Sequence, residues 1–217
     1  MSLYTPPAFV AQDRAAVARL MHDFGFATLL TPAAPEPFVS HLPLLLQAGC
    51  EPHGTLVGHF ARANPHWQHA RDTASIAIFH GPHAYVSPSW YEHPERMVPT
   101  WNYATVHAHG VLEIVDDAKE TQGIIDMLVH RFESARPAPW QFVRDERGRD
   151  ALLGAIVAFR MRIRRIDAKF KLSQNRGAED RARVIAGLAR EGYAEADATA
   201  EWMRMYAAPR KDGDEPR

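Results

Sequence analysis

The chain has 217 residues, of which 46% are hydrophobic and 24% are charged, and its 25 Lys and Arg residues nearly balance its 26 Asp and Glu residues. This composition is typical of a globular domain, and the balanced charge excludes an overall basic field for nucleic acid. A single cysteine, Cys50, excludes an internal disulfide and a cysteine-rich zinc site. The sequence has no secretory signal pattern and no run of roughly 20 apolar residues, so we expect a cytoplasmic protein without a membrane role.

The first half of the chain predicts one helix and then a series of short strands. Asp13 is a typical N-cap residue, and apolar residues follow it at helical spacing as far as Phe24. A longer strand is predicted at 104–115, in which Gly110 indicates a bulge or a bend. Antiparallel strands are predicted before it at 26–30, 38–46, 55–61, 74–79 and 83–87.

The second half predicts helices around one more strand. Asp116 and Asp117 open a helix that runs to about Phe132. Residues 149–159 fit either a helix that leads into a strand or a strand throughout, and alternation of apolar and basic residues predicts a strand after them. Two helices follow Ala178. Six or more antiparallel strands followed by helices predict a small β-barrel with helical additions.

Metal and nucleophile chemistry have little support in the sequence. His107 and His109 lie on one face of a predicted strand, but no carboxylate signature or HExxH helix accompanies them, so we predict no metal site. Ser87 and Ser89 lack the GxSxG elbow of a catalytic serine. We therefore assign no catalytic residue.

Two polar segments fit a ligand or a plain turn equally. Arg62 and Asn64 precede Pro65 and form a corner suited to a phosphate, or a surface turn. Lys171 and Arg176 flank the polar residues at 173–175, a group suited to a phosphate or a heteroaromatic edge, or to a solvated strand end.

An aromatic segment lies between them in the sequence. Trp101 and Tyr103 surround Asn102 just before the predicted long strand. Aromatic side chains with one polar neighbour fit a flat ligand, a subunit interface or the rim of a core.

Five motifs, taken in order, resemble the PaiB-type FMN-binding negative transcriptional regulators, which are relatives of the flavin split-barrel proteins. They are SHLPLLL, GTLVGHFARANPHW, AIFHGPHAYVSPSWY, VPTWNYATVHAHG and KLSQNR, and the resemblance extends from residue 3 to about 206. It implies a mainly β, α+β split barrel with peripheral helices, with an FMN-binding domain at 1–176. From the helical pattern and the charged end of the sequence we expect a C-terminal helical extension at 177–208 and a flexible tail at 209–217. It also implies a homodimer with FMN at the subunit interface.

The resemblance carries over a cofactor site residue by residue. It implies that His41, His59, Arg62 and Asn64 face the FMN phosphate and ribityl chain. It implies that Trp101, Asn102, Tyr103 and Thr105 flank the ribityl chain or the ring. Lys171, Ser173 and Gln174 match a late motif that often arrives from the partner subunit. The ARAN segment has one cation where pyridoxamine oxidases have an Arg/Lys pair, which predicts weaker phosphate binding or a different occupant.

Three functions compete on this basis. The first is an FMN-binding repressor that acts through DNA or a regulatory protein, for which the basic runs at 159–171 and 179–191 offer a surface or are simply solvated. The second is a flavin-dependent oxidoreductase or a haem-binding or haem-degrading protein, and the third is a structural dimer with a vestigial site. The absence of an evident proton-transfer pair favours a role other than catalysis.

Overall fold

The computed structural model of this chain describes residues 3–47, 49, 53–140 and 146–206. Cys50 and the predicted tail at 209–217 lie outside the described residues. The strands are β1 (Phe26–Thr31), β2 (Phe38–Pro43), β3 (Leu45–Gln47), β4 (Thr55–Ala61), β5 (Ala74–Val86), β6 (Thr100–Ile114) and β7 (Ile156–Lys171). The helices are α1 (Arg14–Asp23), α2 (His66–Ala70), α3 (Ala118–Glu133), α4 (Glu146–Gly154), α5 (Ala178–Glu191) and α6 (Ala194–Tyr206).

The seven strands form one sheet in the order β2-β1-β5-β6-β7-β4-β3. β1 pairs antiparallel with β2 and β5, and β4 pairs antiparallel with β3 and β7. Only Leu44 separates β2 from β3, although these strands are the two ends of the sheet order. Since one residue joins the two edges, the sheet curls back on itself, as a barrel requires.

The segment at 38–46 was predicted as one strand and is two. Pro43 lacks an N–H donor, and the chain changes neighbour directly after it: β2 pairs with β1, whereas β3 pairs with β4. The N–H of Leu44 donates to the carbonyl oxygen of Gly25 at 2.8 Å. This hydrogen bond fixes the chain at the residue where it passes from β2 to β3.

The segments at 74–79 and 83–87 were predicted as two strands and are the single strand β5. Its buried and exposed residues alternate, except that Gly81 and Pro82 are buried in succession. The strand therefore shifts phase there without ending, as in a bulge. A Cβ on Gly81 would lie 2.9 Å from the carbonyl oxygen of Ala104.

Gly110 does not mark a bulge, which was one of the two predicted alternatives. Burial alternates without interruption through it along β6. A Cβ at this position would lie 2.2 Å from the carbonyl oxygen of Arg162 on β7. The glycine is needed because the backbones of β6 and β7 approach closely.

The predicted starts of α1 and α3 are confirmed. The Asp13 carboxylate accepts from the N–H of Ala15 at 2.8 Å, and the Asp117 carboxylate accepts from the N–H of Glu120 at 2.8 Å. The segment at 149–159 is a helix that leads into a strand, because α4 ends at Gly154 and β7 begins at Ile156.

The chain divides into two compact units. The first unit comprises Met1–Leu20, His80–Val106 and Asp167–Arg217, and the second comprises Met21–Phe79 and His107–Ile166. In the first, Phe170 packs edge-on against Trp202, and Trp90 packs on α5, where a Cβ on Gly187 would lie 2.3 Å from its ring.

One hydrophobic cluster of the second unit lies between α3 and the β4–β7 pair. Ile124 and Leu128 of α3 are buried against Val57 and Ala158. These two α3 residues belong to the stripe predicted from the sequence. Among the helices of the described residues, none is long and apolar enough to cross a membrane.

Candidate functional site

An open cavity of about 310 Å³ lies on the first unit, and we call it the aromatic cavity. It is lined by His80, Gly81, His83, Trp101, Tyr103, Ala104 and Thr105. Trp101 is 53% exposed, and its ring centroid lies 6.1 Å from that of Tyr85 in an edge-to-face arrangement. An exposed indole beside an apolar hollow is the kind of surface that a flat aromatic ligand covers.

Strand periodicity builds the aromatic cavity. Side chains alternate between the two faces of a strand, so Trp101, Tyr103 and Thr105 share one face of β6. His83 and Tyr85 share one face of β5 for the same reason. Three of the four β6 residues that the resemblance places beside FMN are thus brought together.

Asn102 lies on the opposite face of β6 and is buried. Its amide nitrogen donates to Ser173 Oγ at 2.9 Å and contacts Met203 Sδ at 3.3 Å. Asn102 and Ser173 line a second, smaller cavity of about 160 Å³, which we call the polar cavity. Asn102 and Trp101, which were predicted to flank the same ligand, therefore line two different cavities.

Two further predicted residues lie around the polar cavity and the turn that follows β7. Lys171 lines it, and its Nζ donates to Trp101 O at 2.6 Å and to Thr100 Oγ1. Gln174 instead closes the turn, since its side chain accepts from the N–H of Leu172 at 2.7 Å and donates to the carbonyl of Phe170.

In the second unit, Asn64 belongs to a buried polar network around His66. Asn64 donates to Ser40 Oγ at 3.0 Å and accepts from the N–H of His66 at 3.0 Å. The ring of His66 bonds Ser40 Oγ through Nδ1 at 2.8 Å and Thr31 Oγ1 through Nε2 at 2.9 Å. The network joins β1, β2 and the start of α2.

Burial keeps His66 neutral. Burial and, to a smaller extent, the charge of the neighbouring His69 lower the pKa of His66 to about 4. Sequence reasoning missed this residue, although it stands directly after Pro65 within the quoted motif. Only the register of β1 and β2 brings Thr31 and Ser40 to its two nitrogens.

Because His66 is buried and neutral, we predict that the protein loses stability in acid. Its unfolded-state pKa lies near 6.5 and its folded-state pKa near 4, so the unfolded chain binds the proton first. We expect the free energy of unfolding to fall as the pH drops from about 6.5 to about 4, by up to about 3 kcal/mol from this group. Urea unfolding of wild type and His66→Asn at several pH values measures the difference. His130→Gln, an exposed histidine of α3, should keep the wild-type slope; an equal slope in His66→Asn would contradict the assignment.

Arg62 is engaged with the protein's own backbone. Its Nη2 donates to the carbonyl of Ile156 at 2.7 Å, and its Nε donates to that of Gly154. It lines a cavity of about 530 Å³ in the second unit together with Trp67 and Arg71. This volume lies within the range of small-molecule sites, about 300 to 1,000 Å³.

The two remaining predicted residues, His41 and His59, are not among the residues that line the cavity of Arg62. His41 is exposed on β2 and its Nδ1 bonds Thr28 Oγ1 at 3.1 Å. Burial lowers the pKa of His59, and its Nδ1 has no hydrogen-bond partner among the described residues. Binding of the FMN phosphate by these residues stays a prediction.

Lys169 is a buried cation that was not singled out from the sequence. Its Nζ donates to Tyr4 O at 2.9 Å and lies 5.2 Å from the ring centroid of Tyr103, which also lines the aromatic cavity. Alternation along β7 places Lys169 and Lys171 on one face. The two-residue spacing between Lys169 and Lys171 is the sequence signal that could have identified Lys169.

The fold and the aromatic cavity together define a flavoprotein-like split barrel. The structure is similar to the flavocytochrome Anf3 from Azotobacter vinelandii, with a TM-score of 0.60, 14% identity and coverage of 80% of this chain and 75% of that one. It is also similar to the FAD and heme binding protein from Mycobacterium smegmatis, with a TM-score of 0.58, 17% identity and coverage of 85% and 80%. At these identities the likeness concerns the fold, and it confirms the predicted split barrel.

The sequence gives the family. Residues 3–165 match the family described as "Putative FMN-binding domain". The chain is also 32% identical to the "Protease synthase and sporulation protein PAI 2" of Bacillus subtilis, over 93% of this chain and 96% of that protein. The chain belongs to this FMN-binding family, and the resemblance to PaiB-type proteins is confirmed.

The residues of the aromatic cavity fit FMN in chemical kind. The isoalloxazine ring needs a flat, largely apolar wall with a few polar groups, and Trp101, Tyr103 and Thr105 supply these on one strand face. The cavity lies open on one side, where an exposed Trp101 leaves the ring surface accessible.

Proposed function

We propose that this protein is an FMN-binding transcriptional regulator that works as a cytoplasmic homodimer, with the flavin ring held at the aromatic cavity. The observation that carries the proposal is the half-exposed Trp101 beside Tyr103 on one face of β6. A ring that stacks there covers apolar surface that otherwise faces water.

Each residue of the aromatic cavity has a distinct task in this proposal. Trp101 offers its indole face for stacking, and Tyr103 provides the adjoining wall. Lys169 holds Tyr103 through a cation–π contact. Bound FMN supplies a ring that accepts electrons, so the site's occupancy or redox state becomes the regulatory input.

The homodimer is inferred from the exposed side of the same cavity. Trp101 and Tyr85 are 53% and 40% exposed and touch edge to face. A ligand on this patch has one protein wall, and a second copy of the chain provides the other. The partner's wall also removes the aromatic patch from water.

The regulatory role is inferred from the relative in Bacillus subtilis, whose name refers to protease synthesis and sporulation. The basic run on β7 does not carry it. Arg160 forms an ion pair with Glu120, and Arg162 lies 3.7 Å from Glu113. These carboxylates reduce the positive charge that DNA phosphates would meet on this strand, which favours a regulatory protein as the partner.

A titration with FMN tests the cofactor and the dimer together. We expect saturable quenching of flavin fluorescence at one FMN per chain, and a mass twice that of one chain in sedimentation. A colourless protein that leaves added FMN unquenched would overturn the proposal, and a Soret band would replace FMN by haem. Turnover assays with reduced nicotinamide separate the regulator from the alternative oxidoreductase. Gel shifts with upstream DNA at stated salt then separate a regulator that binds DNA from one that acts through a protein partner.

A further inference from the structure

The polar cavity of the first unit has a cationic lining. Its side chains include Lys171, Ser173, Asn175 and Arg176 beside Tyr91, and no residue that lines it is acidic. The cavity measures about 160 Å³, which admits a small group but not a flavin ring. It opens on the face of β6 that carries Asn102, opposite to the aromatic cavity.

Neutral groups hold the two cations in place. The Lys171 ammonium donates to the oxygens of Trp101 and Thr100, neither of which carries a charge. The Arg176 guanidinium lies 5.5 Å from the ring centroid of Tyr91. Hydroxyl, carbonyl and ring contacts position a cation without neutralising it.

The cations also disfavour each other. Burial lowers the pKa of Lys171, and the charges of Lys169 and Arg176 lower it further. Like charges within a partly buried site raise the free energy of the protein unless an anion joins them. The polar cavity is therefore preorganised for negative charge.

The start of α5 adds to this polarity. Asn175 and Arg176 lead directly into the 14-residue helix, whose N-cap is Gly177 and offers no side-chain acceptor to the first N–H groups. The first turn of α5 also carries two acidic residues, Glu179 and Asp180, and neither lines the polar cavity. Glu179 is exposed, and Asp180 accepts from the N–H of Glu92 and pairs with Arg183 at 3.7 Å.

We propose that the polar cavity binds a small oxyanion of the phosphate type, held by Arg176 and Lys171 with the amide of Asn175. Arg176 matches a tetrahedral oxyanion because its guanidinium donates in a fork, and Asn175 and Ser173 add neutral donors. The oxyanion is either inorganic phosphate or the phosphate of a larger molecule such as FMN. The proposal does not require that FMN is the source of the oxyanion or that the flavin ring lies in the aromatic cavity.

Thermal unfolding with inorganic phosphate, compared with chloride at equal ionic strength, tests the site. We expect a saturable rise of Tm in wild type, since a ligand that binds only the folded state stabilises it. In Arg176→Gln we expect at least a tenfold loss of phosphate affinity. Asn175→Asp, which leaves the Arg176–Tyr91 contact in place, introduces a carboxylate and should abolish the rise. Arg190→Gln, an exposed residue of α5 outside the cavity, is the matched control and should behave as wild type.

Two arms separate the sources of the oxyanion. If it is the phosphate of FMN, then Arg176→Gln weakens binding of FMN but not of riboflavin, and inorganic phosphate competes with FMN. If it is a separate anion, phosphate and FMN bind together and riboflavin and FMN respond alike. A wild-type Tm that phosphate does not raise, or a rise that survives in both cavity variants, overturns the proposal whether or not FMN binds.

Discussion

Gly110→Ala is expected to destabilise the protein by about 3 kcal/mol, because the new methyl group collides with backbone. Its Cβ would lie 2.2 Å from the carbonyl oxygen of Arg162 and 2.8 Å from the side chain of Met161. β7 cannot retreat, since its residues in this stretch pair with β4 through Thr55↔Arg162 and Leu56↔Met161. Urea unfolding followed by far-ultraviolet circular dichroism measures the loss.

Gly123→Ala is the matched control for this substitution. Gly123 lies within α3, and a Cβ there would meet nothing within 4 Å among the described residues. Alanine favours the helix interior over glycine by up to about 1 kcal/mol, so this variant should be neutral or stabilised. Equal behaviour of the two variants would show that the close approach of β6 and β7 is not what requires glycine at 110.

The fold was predictable wherever one local signal decides the element. β4 has the predicted bounds, 55–61, because a turn segment precedes it and Arg62 and Pro65 follow it. The aspartates before α1 and α3 cap these helices as their sequences indicate. In such places side-chain chemistry near the element determines its end.

The failures in the fold prediction concern pairing between distant strands. Pro43 is a local signal for an interruption in the segment at 38–46. No local signal indicates that its two parts belong to opposite ends of the sheet, since only pairing with β1 and β4 decides it. Likewise Gly81–Pro82 resembles a turn in sequence, but both flanking segments continue in β5. Gly110 was correctly singled out in the sequence, but the structure gives a different reason for the glycine, the close approach of the β7 backbone.

The candidate site was predictable as residue types but not as a geometry. Period-two alternation separates Asn102 from Trp101, which the sequence motif presents as neighbours. Arg62 has the chemistry of a phosphate ligand, and its bonds to the carbonyls of Gly154 and Ile156 depend on a segment more than 90 residues away. Arg176 was noted for its charge, but only the structure brings Tyr91 beneath it.

Trp101→Ala is expected to weaken FMN binding by roughly tenfold to a hundredfold. Stacking of a heteroaromatic ring on an aromatic side chain contributes about 1–3 kcal/mol, and each 1.4 kcal/mol changes the dissociation constant about tenfold. Because Trp101 is 53% exposed and its ring contacts are with Tyr85 and His83 beside the cavity, its removal leaves the core intact. Fluorescence titration with FMN measures the loss, and an unchanged Tm confirms that the fold persists.

Two companion variants give the result its meaning. Trp101→Phe keeps an aromatic face and should recover most of the affinity, whereas Phe132→Ala removes an aromatic residue that is 46% exposed on α3 and should leave FMN binding unchanged. Sedimentation of Trp101→Ala without FMN separates the two roles proposed for the indole. A dimer that persists with weakened FMN binding assigns Trp101 to the ring, and a monomer assigns it to the partner's wall as well. An FMN affinity of Trp101→Ala equal to that of wild type would show that the aromatic cavity is not the flavin site.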